Sequence, residues 1–93
     1  MNKSLIKIYR EIVKTLAKHM YEHSNLEGIE FKQLFKLCFD HAMISSEAQL
    51  KENLLEVLDH KVIKEIKGER GRILYTMEFP RHILEQIVED KFE

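Results

Sequence analysis

The stretch IKEIKGERGRILYTM, residues 63–77, constrains the fold of this chain more than any other part of the sequence. Two runs of alternating apolar and polar residues flank a short charged loop that contains two glycines. Alternation with a period of two is typical of strands with one buried face, so the stretch predicts a β-hairpin. We place its strands at about 62–67 and 72–79, because Pro80 cannot donate to a ladder and ends the second strand.

The rest of the chain is predicted to be mainly helical, because apolar residues recur at three- and four-residue steps. Helices are expected at about 4–21, 32–42, 46–59 and 80–91. A short extended segment at 28–31 would add a third strand to the sheet. Ser46 and Gln49 have the spacing of a capping box at the start of the third helix. The apolar face of that helix is predicted to hold Leu50, Leu54, Leu55, Val57 and Leu58.

Two helices joined by a short turn and followed by a hairpin predict a winged helix-turn-helix. In this α+β fold, helices surround a small antiparallel sheet with one β-hairpin wing, here at about 62–79. A chain of 93 residues has little room for a second core, so we expect a single winged-helix domain over 1–93. The fold often binds DNA, although a fold alone does not establish a function.

Composition narrows the class of protein further. No apolar run approaches the roughly 20 residues that a membrane helix needs, so no membrane association is predicted. The N-terminus lacks the uninterrupted apolar segment of a signal peptide. The single cysteine excludes an internal disulfide and fits a reducing compartment. Together these features predict a soluble intracellular protein.

Charge is distributed unevenly along the chain. Residues 1–26 carry five basic and two acidic residues, a net charge of +3, and residues 60–72 have the same counts and the same net charge. Residues 27–59 carry three basic and seven acidic residues, a net charge of −4. Because the whole chain is close to neutral, any contact with nucleic-acid phosphates must be local.

The hairpin is the strongest candidate for such a contact. Gly68 and Gly71 are expected to supply the positive φ angles of its turn and to let the backbone approach phosphate. Lys and Arg side chains there would contact phosphates without reading sequence, although Glu65 and Glu69 weaken the positive field. An ordinary solvated hairpin is the alternative. The predicted DNA-binding residues are Lys61, Lys64, Lys67, Arg70 and Arg72.

The third helix occupies the position of a recognition helix, yet its polar residues are mainly acidic. A carboxylate brought towards a groove lined with phosphates is repelled, and only a cytosine amino group would accept one. Base reading by this helix is therefore not expected. The predicted protein-docking residues are Glu47, Glu52 and Glu56.

No metal site, cofactor site or catalytic site is predicted. His19 and His23 are four residues apart, and Cys38 and His41 are three apart, which would suit zinc ligands on two helices. Cys38, however, lies on the apolar stripe of its helix, where a free cysteine behaves as a small hydrophobic residue. The sequence also lacks a phosphate-binding loop and a nucleophile elbow. We therefore expect the chain not to be an enzyme.

Residues 28–79 resemble the C-terminal winged-helix domain of subunit 2 of the eukaryotic origin recognition complex. The most specific likeness is the string Asp59-His60-Lys61, followed by Ile63, then by Lys67-Gly68, with Gly71 closing the loop. Further points of likeness are Gly28, Phe31, Leu34, Cys38, Ser46, Leu50, Leu54 and Glu56.

The resemblance implies a function in the initiation of DNA replication in the nucleus. It implies partners, namely double-stranded DNA and other subunits of the origin recognition complex, and an ATPase-like domain upstream of this one. Within the hairpin, Lys61 and Lys67 match the family pattern, whereas Lys64, Arg70 and Arg72 are predicted from charge alone.

We accordingly expect weak contact with DNA phosphates through the wing, without sequence preference, together with docking to other subunits. The isolated domain is expected to be a monomer. One alternative is a protein-interaction module with no direct DNA contact. Another is a free-standing winged-helix transcription regulator, which would dimerise and present a basic recognition helix.

Overall fold

A computed structural model describes residues 3–89. The predicted order of helices and hairpin is present, and residues 90–91, where the last helix was expected to end, lie outside the described part. The strands are shorter than expected, and a one-turn 3₁₀ segment, Glu69–Gly71, lies between them. The elements are α1 (Lys3–Glu22), α2 (Phe31–Asp40), α3 (Glu47–Asp59), β1 (Lys64–Lys67), β2 (Ile73–Thr76) and α4 (Arg81–Val88).

The core forms around α1, which packs against α4, α3 and α2. Ile12 and Leu16 of α1 are fully buried, because residues four apart lie on the same side of a helix, and Ala17 beside them is fully buried as well. At the end of α1, the Arg81 guanidinium lies 4.0 Å from the centre of the Tyr21 ring and donates to the Tyr21 carbonyl at 3.1 Å. This contact joins α4 to α1. Within residues 3–89, no helix is long and apolar enough to cross a membrane.

The helix-turn-helix is formed by α2 and α3, with a tight reversal between them. The N–H of Ala42 donates to the Phe39 carbonyl, and that of Met43 donates to the Cys38 carbonyl, which is the Schellman pattern of helix termination. Ala42 adopts a φ of 59° at the position that usually carries glycine. The helix predicted to reach residue 42 therefore ends at Asp40.

The start of α3 follows its predicted capping chemistry with one difference. The Gln49 N–H donates to the Ser46 hydroxyl at 3.2 Å, as in a capping box. The Gln49 side-chain oxygen, however, accepts from the N–H of Ser45 at 3.0 Å rather than from that of Ser46. Both contacts satisfy backbone donors at the turn, so this turn is positioned by local hydrogen bonds.

One prediction for α3 is wrong. Leu55 was expected on the apolar face, but its side chain is 68% exposed. Leu50, Leu54 and Val57 are buried as predicted, and Asn53 is buried beside them, where it donates to the Gln49 carbonyl at 2.8 Å. The buried face is thus rotated towards Asn53, and Leu55 faces solvent.

The hairpin pairs β1 with β2 in an antiparallel register from Lys64 opposite Thr76 to Lys67 opposite Ile73. The expected third strand is reduced to one bridge, in which Ile29 and Tyr75 exchange backbone hydrogen bonds of 3.0 and 2.7 Å. Gly28 approaches so closely that a Cβ there would lie 2.6 Å from the Tyr75 carbonyl oxygen. Because α2 begins at Phe31, the chain leaves the sheet after this single bridge.

Candidate nucleic-acid interface

The tip of the hairpin is a tight turn built by two residues with positive φ. Arg70 has a φ of 60° and Gly71 a φ of 73°, and the Arg72 N–H donates to the Glu69 carbonyl at 3.2 Å. Positive φ at both central residues is the pattern of a type I′ turn, whose twist matches that of a hairpin. Gly68 was expected to supply one of these angles, but its φ is −91°. Arg70 takes the strained position instead and points out at the tip, exposed.

The five predicted DNA-binding cations differ in their partners. The Lys64 ammonium lies 2.6 Å from the Glu78 carboxylate, and the Arg72 guanidinium lies 2.8 Å from the Glu30 carboxylate. Lys61, Lys67 and Arg70 are exposed and have no ion pair with any residue of the described segment 3–89. The charge available to a polyanion is therefore concentrated at the tip of the wing and at its base.

The strand alternation also divides these cations between two faces. Side chains of successive strand residues point to opposite sides of a sheet, so Lys64 and Lys67 lie on opposite faces of β1. Lys67 shares its face with Glu65, Ile73 and Tyr75. Burial and the neighbouring Glu65 carboxylate, which is hydrogen-bonded to the phenol, raise the pKa of Tyr75. Sequence reasoning grouped the cations by proximity along the chain and missed this separation.

Lys61 stands at the base of the wing because α3 ends there in a left-handed turn. Its φ is 62°, and its N–H donates to the Leu58 carbonyl at 3.0 Å. The preceding His60 caps the helix, lies 3.8 Å from the Glu56 carboxylate, and packs edge-on against the Tyr9 ring at 5.7 Å. The Asp59-His60-Lys61 string that suggested a family is therefore the chain reversal from α3 into the wing.

The exposed face of α3 is acidic, as predicted. One cation and four anions among its exposed residues give a net charge of −3. The Lys51 ammonium lies 5.7 Å from the centre of the Phe31 ring and thus leans towards α2. The exposed residues of α3 are Glu47, Ala48, Lys51, Glu52, Leu55, Glu56 and Asp59.

The histidines and the cysteine do not converge. Cys38 is fully buried, and burial raises the pKa of its thiol to about 11. His41 is exposed and donates to the Leu37 carbonyl, while His23 stacks on His19 at 4.4 Å and donates to the His19 carbonyl. Among residues 3–89, no three His, Cys, Asp or Glu side chains are grouped so that they could hold a metal ion.

These features define the class of protein. A helix-turn-helix that packs on a long first helix and is followed by a two-stranded antiparallel hairpin is a winged helix, and the predicted α+β fold class is confirmed. The family follows from comparison with known proteins. The family model described as ORC2 WHD, the winged-helix domain of origin recognition complex subunit 2, matches residues 22–83. The chain belongs to this family.

Individual relatives support this family assignment. Origin recognition complex subunit 2 of Dictyostelium discoideum is 42% identical over 61 residues, which cover 66% of this chain and 15% of the relative. The corresponding Drosophila melanogaster subunit is 30% identical over 84 residues, which cover 90% of this chain and 13% of the relative. The chain thus spans less than a fifth of the length of these two relatives.

A solved structure shows the same fold. A chain in the structure of Drosophila ORC bound to AT-rich DNA and Cdc6 aligns with 99% of this chain at a TM-score of 0.67 and 27% identity. The alignment covers 29% of that Drosophila chain.

Proposed function

We propose that this chain is a DNA-associated winged-helix module of the origin recognition complex and acts in the nucleus in the initiation of DNA replication. Its wing contacts DNA phosphates without sequence preference, and its α3 face docks to other subunits of the complex. It performs no catalysis and binds no cofactor in this function. The observation that carries the DNA contact concerns Lys67 at the end of β1 and Arg70 in the turn. Both are exposed, and neither has an ion pair with a residue of the described segment 3–89.

The geometry of the tip favours contact with phosphates over contact with bases. A two-residue turn is short, and its cations flank a backbone that can approach the duplex closely. Lys and Arg contacts to phosphate position a protein on DNA but carry no sequence information. The remaining candidates, Lys64 and Arg72, would first have to exchange Glu78 and Glu30 for phosphate. We therefore expect Lys61, Lys67 and Arg70 to contribute most.

The small number of available charges makes the binding weak. If about three phosphates are neutralised, the slope of log K against log salt concentration should be about −3. The isolated chain is expected to bind as a monomer. The Drosophila complex named above is bound to AT-rich DNA, which supports the proposed environment but does not define the contacts of this chain.

The acidity of α3 supports the second part of the proposal. An exposed helix face with a net charge of −3 is repelled by the phosphates that line a groove, so it is better suited to a protein surface. Glu47, Glu52 and Glu56 would face basic residues of a neighbouring subunit. This arrangement leaves the wing, rather than the helix-turn-helix, as the part of the domain that can approach DNA.

The test is a titration of labelled duplex DNA with the 93-residue chain at low salt, followed by fluorescence anisotropy. The variant Lys67→Ala/Arg70→Asn removes both tip charges, and asparagine tolerates positive φ, so the turn is retained. The control Lys32→Ala/Lys36→Ala removes two exposed charges from α2. We expect the tip variant to bind at least about tenfold more weakly and the control to bind nearly as the native chain does. Equal loss in both variants, or none in the tip variant, would overturn the wing assignment.

A further inference from the structure

Among residues 7–89, the most exposed large apolar side chain is Leu55, at 68%. It is not at an edge of the exposed surface of α3. With about 100° between successive residues, Leu55 lies near the middle of the arc that runs from Glu47 through Lys51 and Asp59 to Glu56. This helix therefore presents leucine at its most outward position, where a DNA-reading helix would present a polar side chain.

The surroundings of Leu55 are acidic on one side. Glu52 and Asp59, three residues before and four residues after it, are its neighbours on the helix surface, and Glu56 follows in sequence. On the other side lies Lys51, which leans over the Phe31 ring. The result is an exposed apolar residue with a carboxylate rim along one flank, here named the Leu55 surface (Lys51, Glu52, Leu55, Glu56, Asp59).

DNA is a poor occupant for this surface. An isolated apolar side chain can contact only the thymine methyl group in the major groove. The three carboxylates around it would meet phosphates at the same time and would be repelled. Charged residues at the rim of an apolar contact are, in contrast, the usual arrangement of a protein–protein interface.

We infer that the Leu55 surface binds a segment of a neighbouring protein subunit that presents an apolar side chain flanked by Lys or Arg. The apolar side chain packs on Leu55, and the basic residues face Glu52, Glu56 and Asp59. This inference rests on the proposed docking function and adds its central residue, which is not one of the three glutamates predicted from sequence. It also assigns the partner's chemistry, because charge complementarity requires a basic segment.

The experiment uses the remaining subunits of the origin recognition complex, purified together without the subunit that carries this sequence. The 93-residue chain is immobilised, and binding is measured by interferometry. Leu55→Ala is expected to weaken binding roughly tenfold, and Glu52→Lys/Glu56→Lys is expected to weaken it by at least about as much. Neither variant should weaken binding of duplex DNA through the wing.

Two control variants match these changes. Phe39→Ala truncates another exposed large apolar residue, at 54% exposure, and Glu27→Lys/Asp40→Lys reverses two exposed carboxylates outside α3. Both are expected to bind the subunits as the native chain does. Circular dichroism and thermal unfolding of every variant separate loss of contact from loss of fold.

The possible failures are distinguishable. If the native chain binds the subunits and the two α3 variants bind equally well, the Leu55 surface is excluded while docking through another face stands. If the native chain does not bind the subunits, both the docking function and this inference are overturned, whereas the proposed DNA contact of the wing is not affected. If Leu55→Ala weakens duplex DNA binding as strongly as the tip variant does, α3 faces DNA and the inference is wrong.

Discussion

The wing and the third helix both have solvent-exposed surfaces and are joined by a reversal of the chain at Lys61. They differ in charge and in the interactions that determine their conformation. The exposed side chains of α3 sum to −3, whereas residues 60–72 sum to +3 from five cations and two anions. The α3 surface is set by a regular helix whose orientation depends on the core. The conformation of the wing tip is set locally, by two successive residues with positive φ.

This difference in charge is the basis for the two separate contacts that we propose, one with DNA and one with a protein. A recognition helix that carries acids and an exposed leucine is poorly suited to a groove, so we propose that the basic hairpin makes the DNA contact. The same helix can then meet a protein partner on a surface of its own. The distinction depends on two structural facts, the exposure of Leu55 and the conformation of the wing, and each can be tested separately.

The largest expected effect concerns two neighbouring leucines of α3. Leu54 is 3% exposed and Leu55 is 68% exposed. Leu54→Ala should lower the free energy of unfolding by about 3 kcal/mol, because it leaves a cavity in the core. Leu55→Ala should change it by less than about 0.5 kcal/mol, because no core contact is lost. Chemical denaturation of both variants measures the difference, and a similar loss in both would mean that Leu55 is buried in solution and that α3 has no exposed apolar surface.

The second effect concerns the attachment of the wing to the body of the domain. Gly28→Ala should lower the free energy of unfolding by about 2–3 kcal/mol, because the added Cβ would meet the Tyr75 carbonyl oxygen at 2.6 Å. Gly71→Ala is the matched control at the wing tip. A Cβ added at Gly71 would meet no atom of another residue within 4 Å beyond its chain neighbours, so only the positive φ is unfavourable. This substitution should lower the free energy of unfolding by about 1 kcal/mol. A greater loss at Gly71 would show that the bridge at Gly28 is not tight.

A smaller effect is expected at Arg70, the strained residue of the tip. Arg70→Asn should raise the free energy of unfolding by up to about 1 kcal/mol, because asparagine adopts positive φ more readily than arginine. The control Glu69→Asn removes a charge from the same turn at a residue that does not have positive φ, and it should not stabilise the chain. Thermal unfolding compares the two. Destabilisation by Arg70→Asn would indicate that the arginine side chain supports the turn, and the tip would then not be free for phosphate.

The smallest effect is a pH dependence that involves neither surface. Burial, assisted by the nearby His23, lowers the pKa of His19 below its ordinary 6.5, and its Nε2 atom is buried without a hydrogen-bond partner among residues 3–89. The unfolded chain therefore binds more protons than the folded chain between the folded pKa of His19 and about pH 6.5. The free energy of unfolding should fall as the pH falls through this window and level off below the folded pKa.

The measurement is denaturation of the native chain and of His19→Gln between pH 8 and pH 5, a range of about three units around the ordinary histidine pKa. The native chain should lose more stability on acidification than the variant, whereas DNA binding by the two should respond equally. A larger loss in the variant would reverse the assigned direction of the pKa shift. A difference in DNA binding would connect α1 to the wing.

Local patterns in the sequence predicted most of the fold. The alternating hairpin, the Ser46 cap and the helical apolar stripes depend on residues close together in the chain, and all three are present. The acidic character of α3 could also be predicted, because its four carboxylates are rarely buried without a partner and are therefore expected at the surface. The predicted helix ends were less accurate. The helix α2 ends two residues before the predicted position, because Ala42 adopts a left-handed conformation that is unusual for alanine and was not expected from the sequence.

Tertiary packing determines which side chains are exposed and which are paired, and the periodicity of the sequence does not specify this. Leu55 and Leu54 are both apolar and adjacent, and only the orientation of α3 on α1 determines which one is covered. The wing cations are likewise close in sequence, but strand alternation and the carboxylates of Glu30 and Glu78 from other segments separate them. Chain-local preferences specify which elements form, whereas exposure and pairing depend on contacts between residues far apart in sequence, and these exist only once the elements have packed.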